Sequence, residues 1–202
     1  MPETENSESL LQDAMKGDKA ALGELFLLHR DHLVRIVRFR MDRRIQSRVD
    51  PTDVVQDTFA EATQRFPDYV DKPTMDFFLW LRFLTLQKLV QIHRFHLGAQ
   101  ARTVSRDVSI DRCAAPQATS AVLAAQLLGN LTSPTRAAVR REDKSRLEQS
   151  LNEMDELDRE VLVLRHFERL SFAETAKILQ LTESGASSRY FRALGKLRKT
   201  LV

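Results

Sequence analysis

The stretch that decides the fold runs from Leu151 to Leu197: LNEMDELDREVLVLRHFERLSFAETAKILQLTESGASSRYFRALGKL. Together with the preceding Leu147, its first part carries apolar residues at spacings of three and four, the period of a helix with one buried face. Ser171 stands three residues before Glu174, the spacing of a capping box that starts a helix. After a short connection, Thr182 can cap a further helix. The stretch therefore predicts helices joined by short, capped turns.

The last of these predicted helices has an apolar face and a polar face. The residues expected to point inward are Ala186, Tyr190, Ala193, Leu194 and Leu197. The opposite face carries Ser184, Ser187, Ser188, Arg189, Phe191, Arg192 and Lys196. From residue 182 to 202, five basic residues stand against one acidic residue, a local net charge of +4, whereas the whole chain of 202 residues carries +3. A short helix, a tight turn and a basic second helix favour a DNA-binding helix-turn-helix. A three-helix bundle with a solvated basic face is the alternative.

The composition is that of an ordinary soluble helical protein. It is 43% hydrophobic and 29% charged, with six glycines and six prolines. A lone cysteine, Cys113, excludes an intramolecular disulfide framework and a Cys-rich zinc site. The polar, acidic start lacks the pattern of a signal peptide, and no apolar run approaches the roughly 18 residues that span a bilayer. We expect an all-α, cytoplasmic protein without membrane insertion.

The sequence predicts two helical domains joined by a flexible linker. The first spans residues 7–100 and contains a helix from Pro51 to Phe66, with Asp50 as its cap and the proline at its first position. The prolines at 67 and 73 predict a loop before a long helix from Thr74 to Leu97. Residues 101–145 are rich in Ala, Ser, Thr, Pro and Gln and predict the linker, with a short helix near 121–129. Residues 146–202 form the second domain.

Basic residues are clustered along this chain. Residues 30–48 contain seven arginines and two aspartates, and residues 82–106 contain five basic residues and no acidic one. Such local excess favours an anionic partner more strongly than the small net charge does.

These motifs, taken in order, resemble the extracytoplasmic-function (ECF) group of sigma-70-type bacterial RNA polymerase sigma factors. Asp50-Pro-Thr-Asp-Val-Val-Gln-Asp-Thr-Phe59 is similar to the family's segment Asp-Ala-Glu-Asp-Leu-Val-Gln-Glu-x-Phe, and Trp80-Leu81-Arg82 resembles the start of its promoter-melting helix. The remaining matching segments are Asp158 to Leu162, Ser171 to Ala176, Arg192-Ala193 and Leu197-Arg198. The resemblance covers nearly the whole chain, and it implies sigma domain 2 at residues 7–100 and sigma domain 4 at residues 146–202.

The resemblance also implies partners and site residues. The partners are core RNA polymerase, through the clamp of its largest subunit and its flap region, promoter DNA, and an anti-sigma factor as a further candidate. The residues implied to bind core polymerase are Asp53, Gln56 and Asp57. Those implied to recognise and melt the minus-10 element are Tyr69, Lys72, Arg82, Gln87, Lys88, Gln91 and Arg94. Those implied to recognise the minus-35 element are Ser187, Ser188, Arg189, Phe191, Arg192 and Lys196, with Arg189 and Lys196 suited to phosphates.

Two positions depart from the family pattern. Gln87 stands where the family usually has Asn, and Gln91 where it often has Asp. Gln keeps the donor and acceptor of an amide but adds a methylene group to Asn, so its reach is shifted. We expect the minus-10 preference to differ accordingly. Trp80 is expected to belong to the core.

No pattern in the chain predicts catalysis, a metal site or a cofactor. His93 and His96 lie three residues apart, as do His29 and His32, but neither pair belongs to a pattern that forms a complete set of metal ligands. Two other functions remain open at this point: an autonomous helix-turn-helix regulator with an N-terminal sensing or dimerisation domain, and a helical adaptor that binds acidic proteins.

Overall fold

The computed structural model describes residues 2–97, 120–129 and 137–201, and all regular structure within these ranges is helical, which confirms the predicted fold class. The chain divides into two compact units, Met1–Asp107 and Val108–Val202. None of the helices in the described ranges combines the length and hydropathy needed to cross a membrane.

The first unit contains four helices: α1 (Pro2–Met15), α2 (Lys19–Arg40), α3 (Pro51–Asp71) and α4 (Phe77–Leu97). Its core forms where α2, α3 and α4 pack on one another, while α1 packs along α2. Asp50 caps α3 as predicted, because its carboxylate accepts a hydrogen bond from the amide of Thr52 at 2.7 Å. The fully buried apolar side chains include Leu25, Leu33, Ile36, Val55, Leu81, Leu84 and Leu89.

The predicted end of α3 at Phe66 is wrong, because the helix continues through Pro67 to Asp71. A proline inside a helix costs about 3 kcal/mol. Phe66 and Tyr69 are both buried beside Trp80, and full burial of an aromatic side chain contributes about 1.5–3 kcal/mol. Packing of these two side chains therefore offsets the proline. The predicted loop shrinks to residues 72–76, and Trp80 lies in the core as expected.

The second unit contains five α-helices in its described part: α5 (Ser120–Gly129), α6 (Ala137–Asn152), α7 (Glu156–Leu162), α8 (Phe172–Leu179) and α9 (Glu183–Leu201). A π-helical turn, Val163–Phe167, extends α7. The described parts of the predicted linker are thus α5 and the beginning of α6. These two helices pack together, with Leu123, Ala124 and Leu127 buried. Cys113 lies outside the described residues.

The apolar period that begins at Leu147 continues across a break between two helices. Asp155 caps α7, since its carboxylate accepts hydrogen bonds from the amides of Leu157 and Asp158 at 3.1 and 3.2 Å. An aspartate at this position competes for the backbone amides that a continuous helix would use. Leu157, two residues after the cap, is 38% exposed, whereas the later apolar residues of α7 are buried.

The predicted turn chemistry between α7 and α9 is confirmed. Ser171 and Glu174 form a reciprocal capping box, with hydrogen bonds of 3.1 and 2.6 Å. Gln180 ends α8 with a left-handed φ of 54°, and the hydroxyl of Thr182 accepts a hydrogen bond from the amide of Gly185 at 3.0 Å. This short connection places α9 against α6, α7 and α8.

Candidate nucleic-acid interface

The outer face of α9 is the first candidate surface. Ala186, Ala193 and Leu197 are buried on its inner side, as predicted, while Tyr190 and Leu194 are half-buried. Of the residues implied to contact the minus-35 element, Ser188, Phe191, Arg192 and Lys196 are exposed, and Ser187 and Arg189 are half-buried. A patch of hydroxyl, aromatic and cationic side chains is chemically suited to base edges and phosphates.

A buried carboxylate lies behind this face. Asp158 in α7 is 1% exposed, and its oxygens lie 2.8 Å from Nη1 of Arg189, 3.6 Å from Nζ of Lys196 and 4.0 Å from Nη1 of Arg192. We call these four residues the Asp158 cluster. In the sequence, Asp158 belongs to the matching segment Asp158 to Leu162, but no role was predicted for its side chain. The spacing of its three cations, at i, i+3 and i+7 along one helix face, was the signal that they could share a partner.

Phe191 is 62% exposed but is braced from one side. Its ring centroid lies 5.5 Å from that of Tyr190 and 6.4 Å from that of Phe172. The guanidinium of Arg165 lies 4.0 Å over the Phe172 ring and donates a hydrogen bond to the carbonyl of Leu170. These contacts restrict where Phe191 can point, which suits an apolar contact to a base.

The second candidate surface lies on α4 and the short loop before it. Lys72, Gln91 and Arg94 are exposed, and Gln87 and Lys88 are half-buried. Two residues of the predicted minus-10 set are instead in the interior. Arg82 is 3% exposed, and Tyr69 is 7% exposed, with its hydroxyl donating to the carbonyl of Met75 at 3.1 Å and its ring stacked 4.7 Å from Trp80.

The burial of Tyr69 and Arg82 corrects their expected placement on the DNA-facing surface. Tyr69 follows from the continuation of α3, which turns residue 69 inward against α4. For Arg82, helical spacing put it in line with the other polar residues of α4, but most residues in the first two turns of that helix are buried. Both side chains can support the surface from beneath, and neither reaches it.

The third candidate surface is the polar side of α3. Asp53, Gln56 and Asp57 are all exposed there, as the amphipathic pattern predicted. Asp57 also forms an ion pair with Lys88, with 3.4 Å between Oδ2 and Nζ. A residue implied to bind polymerase is thus joined to one implied to bind DNA.

Known proteins match this arrangement. Residues 144–197, which contain α7, α8, most of α9 and the Asp158 cluster, match the family model described as Sigma-70, region 4. The RNA polymerase sigma factor NccH of Alcaligenes xylosoxydans is 29% identical over 195 residues, which are 96% of this chain and 94% of that protein. The ECF RNA polymerase sigma factor SigD of Mycobacterium tuberculosis is 25% identical over 198 residues, 98% of this chain and 85% of that protein. The family-model match and these relatives support the resemblance to the ECF group of sigma-70-type sigma factors.

The fold of this chain also matches a solved structure. CnrH in complex with the cytosolic domain of CnrY superposes with a TM-score of 0.53 at 24% identity, over 97% of each chain. At that identity the likeness shows the fold alone.

One exposed side chain on the α4 surface was not among the residues predicted from the sequence. Phe95 is 83% exposed, lies one helical turn after Gln91 and is the direct neighbour of Arg94. An aromatic ring beside a cation is suited to base stacking. The i+4 spacing from Gln91 could have indicated it.

The described histidines of this chain that have resolved partners make local contacts. Nε2 of His93 accepts a hydrogen bond from the amide of Asp42 at 3.2 Å. Burial, and then repulsion from His32, lowers the pKa of His29 to about 4. Asp42 accepts hydrogen bonds from the side chain of Arg44, which lowers the pKa of its carboxyl to about 2. Within the described residues, no three potential ligands gather at a point that could hold a metal ion.

Proposed function

We propose that this protein is an ECF-type sigma factor, a dissociable initiation subunit that binds core RNA polymerase, directs it to promoters with minus-10 and minus-35 elements and stabilises the melted DNA. The exposed face of α9 carries the proposal, because its side chains are suited to contact DNA bases and phosphates. The proposal is also supported by relatives that are named sigma factors and align with this chain over most of their length. Catalysis remains with the polymerase.

In the second unit, α9 would enter the major groove at the minus-35 element. Helix-turn-helix proteins contact base edges with the N-terminal part of the second helix and phosphates with flanking cations. Ser187, Ser188 and Arg192 are suited to base edges, Phe191 to a thymine methyl group and Lys196 to a phosphate. Arg189 was expected to hold a phosphate, but its ion pairs with two aspartates favour an anchoring role instead.

In the first unit, α4 and the residue 72–76 loop would recognise the minus-10 element. Extruding a base costs a few kcal/mol of stacking, which contacts to the exposed base must offset. Lys72, Gln87, Lys88, Gln91 and Arg94 offer those contacts at the surface. The two glutamines, in place of the family's usual Asn and Asp, would set a minus-10 preference of this chain's own.

Core polymerase would bind the polar side of α3 through the clamp of its largest subunit, and the flap region would hold the second unit. Asp53, Gln56 and Asp57 are exposed and free of the packing that fixes the opposite side of α3. A DNA-binding regulator acting alone has no need of such a set. An anti-sigma factor remains a candidate partner, since the related CnrH is described in complex with CnrY.

Transcription with purified components tests the proposal. Core polymerase is supplied with a promoter template, with or without the full chain, and promoter-dependent run-off product is measured. A transcript that requires the chain supports the proposal. No transcript, combined with an operator footprint by the chain alone, would establish the autonomous regulator instead. Absence of any salt-dependent DNA contact, even with polymerase, would favour an adaptor.

A further inference from the structure

The Asp158 cluster holds a buried acid beneath the face of α9 that is proposed to contact polyanionic DNA. A buried carboxylate is costly unless cations and hydrogen bonds compensate it. Here the compensation comes from three side chains of α9, all of which belong to the predicted minus-35 set. The same cations therefore have two competing uses, one inside the protein and one on DNA.

The three cations are not held equally. Arg189 has a side chain only 27% exposed and lies within hydrogen-bond distance of both Asp158, at 2.8 Å, and Asp155, at 3.3 Å. Arg192 and Lys196 are 58% and 46% exposed and lie 4.0 and 3.6 Å from the carboxylate. Arg189 is thus a fixed anchor between α7 and α9, whereas the other two cations are attracted inward but can turn outward.

We propose that Asp158 is an internal counter-ion that positions the DNA-recognising face of α9 and competes with DNA phosphates for Arg192 and Lys196. This inference rests on the proposed function. Non-specific binding arises mainly from cations that neutralise phosphates, whereas specific binding adds contacts to bases. The carboxylate of Asp158 weakens the phosphate contacts of Arg192 and Lys196 in both non-specific and specific binding. It also orients these two side chains for the contacts that occur only in specific binding. The result is a higher ratio of specific to non-specific affinity.

The variant Asp158→Asn tests this idea, because it keeps the shape and one acceptor oxygen but removes the charge. Equilibrium binding of core polymerase with the full chain is measured on a promoter and on a copy with a scrambled minus-35 element, at several salt concentrations. We expect affinity for the scrambled DNA to rise several-fold. We expect the slope of log affinity against log salt to steepen by about one unit, since each neutralised phosphate contributes about 0.9. The promoter-to-scrambled ratio should fall about tenfold, the size of one lost base contact.

Asp155→Asn is the matched control. It removes the same charge but leaves the cap of α7 in place, because Asn caps as well as Asp. Asp155 pairs with Arg189 alone of the three cations in the cluster. The control should therefore leave the ratio and the slope near those of the unmodified chain. A purely structural role for Asp158 would lower the folded fraction and so reduce both affinities together, without changing their ratio.

A stabilised background keeps the test usable if Asp158→Asn unfolds the second unit. Gln180→Gly places a glycine at a left-handed φ, which glycine adopts without strain, so both forms can be compared in that background. An unchanged ratio and slope in Asp158→Asn, beside an unmodified chain that does discriminate the minus-35 element, would overturn this inference alone. An unmodified chain that fails to discriminate would overturn the proposed minus-35 recognition as well.

Discussion

Replacing Arg192 with alanine separates a DNA-binding role from a structural one. Its side chain is 58% exposed and lies 4.0 Å from Asp158, whereas Arg189 holds that buried carboxylate at 2.8 Å, so removing Arg192 leaves the carboxylate paired. We expect Arg192→Ala to lower the free energy of unfolding by less than about 0.5 kcal/mol. A lost contact to a base edge costs about 1–3 kcal/mol. Since about 1.4 kcal/mol corresponds to a factor of ten, minus-35-dependent initiation should fall about 5- to 100-fold.

Arg198→Ala is a suitable control for this prediction. Arg198 is exposed on the same helix, but six residues later, which turns it about 120° away from Arg192. The assay is initiation by reconstituted holoenzyme on promoters with an intact or a replaced minus-35 element, with core binding and thermal unfolding measured in parallel. Equal losses in the two variants would refute the assignment of Arg192 to bases. Loss of core binding in Arg192→Ala would mean that this face of α9 contacts polymerase.

Three further predictions concern the first unit. Asp57→Asn should weaken binding to core polymerase, measured by titration of a labelled chain, while changing the free energy of unfolding by less than about 1 kcal/mol, because Asp57 is 63% exposed and its pair with Lys88 contributes little; unchanged core affinity would remove Asp57 from that interface. Tyr69→Phe should cost about 0.5–1.5 kcal/mol in urea denaturation, because it deletes the hydrogen bond to Met75; full stability together with impaired promoter melting would show that the hydroxyl serves DNA. Stability should also fall as the pH drops from 6.5 towards about 4, because folding lowers the pKa of His29 and protonation then favours the unfolded chain. Thermal unfolding across that range should be flatter in His29→Gln, and an unaltered pH profile in that variant would contradict the assignment to His29.

Local chemistry made much of the fold predictable from the sequence. Caps and capping boxes depend on residues two or three positions apart, so those at Asp50, Ser171 and Thr182 can be predicted without knowledge of the rest of the chain. The end of α3 cannot be predicted from neighbouring residues in this way. It depends on Tyr69 meeting Trp80 from another helix, and this tertiary packing outweighs the local effect of Pro67.

The candidate site divides in the same way. Amphipathic spacing was sufficient to predict that Asp53 on α3 and Arg192 on α9 are exposed. The pairing of Asp158 with Arg189 joins residues 31 positions apart in the chain, and the burial of Arg82 depends on which helices cover α4. Periodicity within one helix contains neither kind of information, because both are set by packing between helices.

Sequencing the 5′ ends of transcripts made from fragmented genomic DNA tests the central claim most directly. Core polymerase alone is compared with core polymerase plus the full chain. The account predicts a set of start sites that appears only with the chain and that shares two upstream elements at a fixed separation, one of which loses its effect in Arg192→Ala. Start sites identical to those of core polymerase alone, or new sites without shared upstream sequence, would contradict it.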